Sequence, residues 1–176
     1  MKLLGEKVRL RTADETDIHS LYTWWNDSEF NGEFSVAEPK SRADIESMVN
    51  RERGRLFIIS TRSENKRIGF IDYYWIRSDY PYLFEIGYRV TPSERRKGYT
   101  TEAARLVVDH LFTTRKEVER IESVTDTANV ASQRVLEKNG FRREGVLRKR
   151  FLNKGQYRDE YMYSLLRVAW QNAKAR

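Results

Sequence analysis

The densest chemistry in the chain lies in residues 90–103, which read Val90-Thr91-Pro92-Ser93-Glu94-Arg95-Arg96-Lys97-Gly98-Tyr99-Thr100-Thr101-Glu102-Ala103. An apolar strand end runs into a basic loop and then into a helix start. A helix N-terminus presents backbone N–H groups without carbonyl partners and the positive end of the helix dipole, which suits a pyrophosphate. Gly98 permits close backbone approach, and Arg95, Arg96 and Lys97 add positive charge. The plain alternative is a solvated basic surface loop. A second stretch, Asn129-Val130-Ala131-Ser132-Gln133-Arg134-Val135-Leu136-Glu137-Lys138-Asn139-Gly140-Phe141, has the form of a short capped helix. Asn129 is its N-cap, Ser132 its N3 residue and Gly140 its left-handed C-cap, with Phe141 folding back onto the last turn.

Other chemistries are excluded by residue type and spacing. No two of the nine glycines are separated by a single residue, so the G-x-G-x-x-G dinucleotide fingerprint is absent. Gly140 and Gly145 have P-loop spacing, but Val146 and Leu147 follow where Lys and Ser/Thr would hold phosphate and magnesium. The only imidazoles, His19 and His110, lie about ninety residues apart in helical stretches and read as surface or packing residues. No metal site and no Ser-His-Asp triad is expected from them. Cysteine is absent, which removes disulfides and thiolate catalysis and makes a reducing, cytoplasmic home the expectation.

The elements that must position these residues follow from periodicity. A strand over 6–11 leads into Thr12-Ala13-Asp14-Glu15, which has the T-x-x-E form of a capping box. Ile18, Leu21, Tyr22 and Trp25 then recur at helical spacing. Ser41-Arg42-Ala43-Asp44 looks like a second cap, before Ile45, Met48 and Val49. Strands over 56–61, 67–76 and 82–90 form an expected antiparallel meander, with turns at 63–65 and 78–81. A helix over 99–115, a strand over 120–125, the capped helix from 129, and two strands over 145–152 and 157–166 around a turn at 153–156 complete the order. The expectation is one α/β (α+β) domain over 1–176, with about seven strands and about four helices.

With 176 residues, 39% of them hydrophobic, the chain can bury one ordinary core. The net charge of +7 points toward an anionic ligand, a nucleic acid or a membrane surface without choosing among them. No apolar run approaches the roughly 18 residues of a membrane span, and no signal-peptide core opens the chain.

The 95–100 segment resembles the acyl-CoA-binding signature R/Q-x-x-G-x-G/A of the GNAT N-acyltransferase superfamily, carried by Arg95, Gly98 and Thr100. Thr100 departs from the pattern, and since the backbone amide is the expected donor its hydroxyl is tolerable. Gly98-Tyr99-Thr100-Thr101-Glu102-Ala103 is close to the G-Y-A-T-E-A run of the branch with ribosomal-protein N-terminal and spermidine acetyltransferases. The 129–141 stretch is similar to that branch's N-x-x-S-x-x-x-x-E-K-x-G-F and is the more specific match. Glu85-Ile86-Gly87-Tyr88 looks like the family's fourth strand, and 153–159 like its last hairpin. The likeness covers nearly everything after about Arg67; residues 24–34 have no counterpart and are expected to hold substrate specificity.

The resemblance implies a mixed, mostly antiparallel sheet, splayed into a V between strands four and five, that binds acetyl-CoA. The implied cofactor residues are Tyr88, Val90, Arg95, Arg96, Lys97, Gly98, Tyr99, Thr100, Thr101, Asn129, Ser132 and Lys138. Acyl transfer needs a neutral amine, a stabilised oxyanion and a protonated leaving thiolate. The implied base is Glu85, the implied oxyanion donor an amide within 87–90 and the implied acid Ser132. Ser132 has cap or cofactor contact as its alternative role. Glu85 has a surface salt bridge to Arg89, two residues along the strand, as its own. Tyr73, Tyr74, Trp75, Tyr80, Tyr82 and Phe84 either line an acceptor pocket or pack the strands. The expected function is acetyl-CoA-dependent N-acetylation of a protein N-terminal amine, or of a small polyamine or drug amine. The competing classes are a non-catalytic acyl-CoA-binding protein of the same fold and a basic ribosome- or nucleic-acid-binding protein. No membrane partner is expected, nucleic acid is disfavoured, and a homodimer stays open.

Overall fold

A computed structural model describes residues 1–35, 38–76 and 82–175. The expected turn at 78–81, with Tyr80, lies outside the described residues. The described chain carries eight strands in the hydrogen-bonded order β1-β2-β3-β4-β5-β6-β8-β7. The only parallel pairing among the printed registers is β5 with β6, so the sheet is mixed and mostly antiparallel. Six α-helices accompany the strands. The chain divides into two compact units, Met1–Asp72 with Tyr88–Ala103, and Tyr73–Gly87 with Ala104–Arg176.

In the first unit β1 (Lys2–Leu4) pairs with β2 (Val8–Thr12), β2 with β3 (Leu56–Thr61), and β3 with β4 (Arg67–Trp75). The expected T-x-x-E box, Thr12 to Glu15, falls two residues later than the sequence suggested. Asp14 is the N-cap of a 3-10 turn, Glu15–Asp17, and Asp17 closes the box as N3 residue. Asp17 is wholly buried because Arg11 reaches both its oxygens, at 2.7 and 2.8 Å. A strand arginine thus satisfies a carboxylate that Thr12 and Glu15 could not. Helix α1 (Ile18–Trp25) follows, then α2 (Ser28–Asn31) and α3 (Arg42–Arg51), the last capped by Ser41 and Asp44 as expected. Ile18, Leu21, Phe30, Ile45, Val49, Leu56, Ile58 and Phe70 form their common core.

The second unit contains the opening of β5 (Leu83–Val90), most of α4 (Tyr99–Thr114), β6 (Arg120–Asp126), α5 (Val130–Lys138), β7 (Arg142–Asn153) and β8 (Gln156–Leu166). The parallel register runs Leu83↔Arg120, Phe84↔Ile121 and Glu85↔Glu122, and ends there. It is between these two strands, the family's fourth and fifth, that the resemblance places its splay. Three elements went unforeseen, among them the four-residue helix α2, shorter than two turns and so without a readable period. Strand β1, at three residues, is too short for a period to register. Helix α6 (Arg167–Lys174) begins where the sequence reads as chain end. Buried Arg167 secures it by donating to the carbonyls of Phe112, Arg115 and Val118 at 2.6–2.8 Å, and Trp170 donates to Asp109 at 2.6 Å.

Candidate active site

In the first unit the basic loop is shaped by ion pairing and backbone sign. A 3-10 turn, Pro92–Glu94, buries Glu94 to 7% exposure. Its carboxylate accepts from Lys66 at 2.7 Å and Lys97 at 2.8 Å, and these two bonds hold it below the usual carboxylate range. Arg96 and Gly98 both take left-handed backbone, φ 64° and 83°, with Lys97 between them. Alternation of this kind turns successive N–H groups to one side and makes an anion-binding concavity. A Cβ at Gly98 would meet only the Lys7 ammonium within 4 Å, at 3.4 Å, so the backbone there is open to a ligand. Lys7 also donates to the Lys97 carbonyl at 3.4 Å and brings a cation to the loop that no local motif announces.

Helix α4 opens directly from this loop, with Tyr99, Thr100 and Thr101 half-buried in its first turn. Glu102, in the same turn, accepts from the backbone N–H groups of Glu6, Lys7 and Val8 at 2.8–2.9 Å. That grip fixes the helix start against the β1–β2 turn and sets Lys7 beside Gly98. Val90 is buried and Tyr88 half-buried on β5. Arg95 is engaged by protein: its guanidinium donates to the carbonyls of Val90, Glu29 and Phe30 at 3.4, 2.8 and 3.0 Å. It therefore ties the loop to α2, inside the 24–34 stretch expected to govern specificity. Arg89 does the same from β5. It donates to Asn31 at 2.7 Å and lies over the rings of Trp25 and Phe70, and burial lowers its pKa.

In the second unit α5 is capped as its sequence requires. Asn129 accepts from the Ser132 N–H at 3.1 Å. Gly140, at φ 83°, donates to Glu137 O, and Phe141 donates to Leu136 O, a Schellman closure that leaves Phe141 3% exposed. Ser132 is half-buried and Lys138 exposed in the last turn. Glu137 accepts from the Tyr163 hydroxyl at 3.0 Å, and burial together with that carboxylate pushes the phenol up to about 12.

Glu85 projects from β5 half-buried, with Tyr74 Oη donating to its Oε1 at 2.7 Å. Burial raises its pKa above the ordinary carboxylate value and the nearby Glu122 adds to the rise, against the Tyr74 hydrogen bond and Arg150. The alternative pairing foreseen for Glu85 has to reckon with partners each residue already has: Tyr74 for Glu85 and Asn31 for Arg89. The aromatic group divides. Tyr73 is 2% exposed and meets Phe84 edge-on, 5.4 Å between centroids, whereas Tyr74, Trp75 and Tyr82 are exposed. Strand packing accounts for Tyr73 and Phe84 and reaches Trp75, whose ring lies 5.9 Å from that of Phe84, while Tyr74 turns its hydroxyl to Glu85. The sequence reading passed over Lys7, the pinning role of Glu102, and the pair Arg120 and Glu122. The i, i+2 spacing of that last pair on one strand was a usable signal.

Comparison with known proteins bears on this geometry. The family model described as "Acetyltransferase (GNAT) domain" matches residues 7–142. The chain is similar to the probable N-acetyltransferase YjcK of Bacillus subtilis (strain 168), 31% identical over 179 residues, 93% of this chain and 96% of that protein. Its fold is similar to that of spermidine N-acetyltransferase from Vibrio cholerae in complex with CoA and spermine, TM-score 0.83 at 21% identity, covering 96% of this chain and 100% of that one. It is also similar to that of ribosomal-protein-S5-alanine acetyltransferase from Vibrio fischeri, TM-score 0.79 at 20% identity, covering 97% and 98%. At those identities the two structures speak to the fold alone.

Proposed function

The chain belongs to the GNAT acetyltransferase family, and from that premise we propose that it transfers the acetyl group of acetyl-CoA to a primary amine, as one catalytic domain over 1–176. The family match runs through both compact units, which supports a single domain. The observation that carries the reading is the loop in which left-handed Arg96 and Gly98 lead into the N-terminus of α4, with Lys7 and Lys97 alongside. That is a pyrophosphate cradle built of backbone amides and cations.

In this reading Arg96, Lys97, Gly98, Tyr99, Thr100 and Thr101 hold the phosphates, while Arg95, whose guanidinium is spent on the carbonyls of Val90, Glu29 and Phe30, positions the loop in place of the direct phosphate contact expected of it. Tyr88, Val90, Asn129, Ser132 and Lys138 hold the rest of the cosubstrate. Acetyl-CoA supplies an activated thioester. Glu85, directly or through a water, takes the proton from the ammonium form of the acceptor. A backbone amide within 87–90 donates to the thioester oxygen as the C–N bond forms and the C–S bond breaks. Ser132 gives a proton to the departing sulfur, and the second proton lost by the attacking nitrogen as the amide forms restores the serine hydroxyl. Acceptor classes are a protein N-terminal amine and a small polyamine or drug amine, the first and second kinds represented by the two fold relatives above. The compartment is the cytoplasm, as the cysteine-free composition supports. Among the described residues no helix is long and apolar enough to cross a membrane.

Calorimetric titration with acetyl-CoA, paired with thiol release over a panel of amines, tests this. Gly98→Val blocks backbone approach and forces a branched side chain into left-handed backbone, so it should weaken binding by roughly ten- to a hundredfold. Unchanged affinity in a folded Gly98→Val protein would remove the loop from the cofactor site. Tight binding without thiol release on any amine would favour the non-catalytic reading.

A further inference from the structure

Glu85 does not titrate alone. Its register partner on β6 is another carboxylate, Glu122, on the same sheet face about 4.8 Å away between strands. Like charges directly opposed on a sheet destabilise each other, and the cheaper release is for one of them to hold its proton. Which one is decided by the surroundings. Glu122 is 9% exposed and accepts from Arg120 Nε at 2.5 Å. The same Arg120 is held by Glu144 through two further bonds, 2.7 and 2.6 Å, and Ser164 donates to Glu144 at 2.6 Å. Glu122 is thereby paired with an immobilised guanidinium. Glu85 has a phenol hydroxyl in place of a cation, so it is the carboxylate of the pair whose proton affinity rises.

We propose that Tyr74 and Glu122 are positioning residues for the acid–base step: Tyr74 orients the Glu85 carboxylate, and Glu122, locked by Arg120, sets by its charge the pH at which Glu85 accepts a proton. The proposal rests on the reading of Glu85 as base. The groups that act on Glu85 are Tyr74 from β4, Glu122 from β6, Arg150 from β7 and Glu160 from β8, with Arg120 paired to Glu122. Arg150 lies 3.9 Å from Glu160 of β8, a second carboxylate on which Glu85 acts. Glu122, held by a guanidinium, and Glu85, left by burial with a raised proton affinity, form a division of labour that suits proton removal from an ammonium.

The signs of the two influences differ, which makes the test specific. A base works only when deprotonated, so activity is present above the Glu85 pKa and lost as pH falls through it. Tyr74→Phe deletes a bond to the carboxylate form and should move the acid limb of kcat/KM to higher pH, with a loss of roughly two- to tenfold below the midpoint. Glu122→Gln keeps an acceptor for Arg120 while deleting the charge, and should move the limb to lower pH, so the variant gains relative rate at acid pH. Damage to folding produces no such gain. Comparing variants on one amine cancels the amine's own titration.

The carboxyl carbon of Glu85, followed by NMR in the same variants, reads the ionisation without turnover. Opposite shifts in both the NMR titration and the rate profile are expected. Opposite NMR shifts with superimposable rate profiles would leave the coupling standing and overturn Glu85 as base. An NMR titration unmoved in both variants would overturn the proposal, even if Glu85→Gln abolishes the acid limb.

Discussion

Two glutamates, one in each compact unit, show how the same side chain is used in opposite ways. Glu102 accepts three backbone N–H groups from one turn, at 2.8–2.9 Å, and is 7% exposed. Its lone pairs are occupied by donors that cannot leave without unmaking the β1–β2 turn. Glu85 is half-buried with one exposed phenol as hydrogen-bond partner and a like charge opposite. Burial lacking compensation raises the energy of its charged form, and it can take a proton at little structural cost. A saturated carboxylate is a structural pin and an under-satisfied one is a reagent, whatever their spacing in sequence.

The largest effect that would break this contrast concerns Glu85→Gln. An α-amine with pKa near ~8 is about 10% neutral at pH 7, and a lysine-like amine near ~10.4 is about 0.04% neutral. That gap is worth about 3.3 kcal/mol. The variant should lose about a hundredfold in rate with a polyamine or lysine-type acceptor and only a few-fold with a terminal amine, with part of the loss recovered on raising the pH. Rate profiles from about pH 6 to 10 on both amines check it; superimposable wild-type and variant profiles would make Glu85 no reagent.

Glu102→Ala should instead appear in stability. Three amides lose a charged acceptor, and urea unfolding should show a loss of about 2–4 kcal/mol, while the acid limb of the rate profile keeps its position. A smaller effect sharpens the contrast at Asn129, whose side chain caps α5 and is also assigned to the cosubstrate. Asn129→Ala should cost about 1 kcal/mol as a lost cap. Its melting temperature should rise less with acetyl-CoA than that of the wild type. A full ligand-induced shift would leave Asn129 with the cap alone.

The smallest effect lies at Glu144, which Arg120 and then Ser164 hold down to about 2. Its folded pKa is depressed, so its contribution to stability is present above its unfolded value near 4.5 and is lost as pH falls toward 2. The side chain is 43% exposed, and solvent screening keeps the contribution below about 1 kcal/mol. Denaturation followed from pH 6 to 2 should show a shallower acid loss in Glu144→Gln than in wild type.

Legibility followed the range of the interaction. The cap at Ser41, the Asn129 cap and the Gly140 closure lie within a few residues of their partners, so their residue types suffice to announce them. The first box was misplaced by two residues because Asp17 has a strand partner, Arg11, that outweighs the local T-x-x-E pattern. Helix α6 was missed for a related reason: it has no side-chain cap to announce its start and is held by Arg167 reaching carbonyls about fifty residues earlier.

By itself the sequence determined the family, the basic loop that opens α4, the capped helix α5 and the placement of Glu85 on a strand face, because these depend on residue type and short spacing. The tertiary structure alone decided that Arg95 grips α2 carbonyls, that Lys7 stands beside Gly98, that Glu102 is a pin, and that Tyr74 and Glu122 flank Glu85. Each of these is a contact in which the charge or hydrogen-bond state of one residue is set by another that strand register or chain folding brings to it. Spacing along the chain carries no record of such a meeting, and the energetics of a buried carboxylate depend on little else.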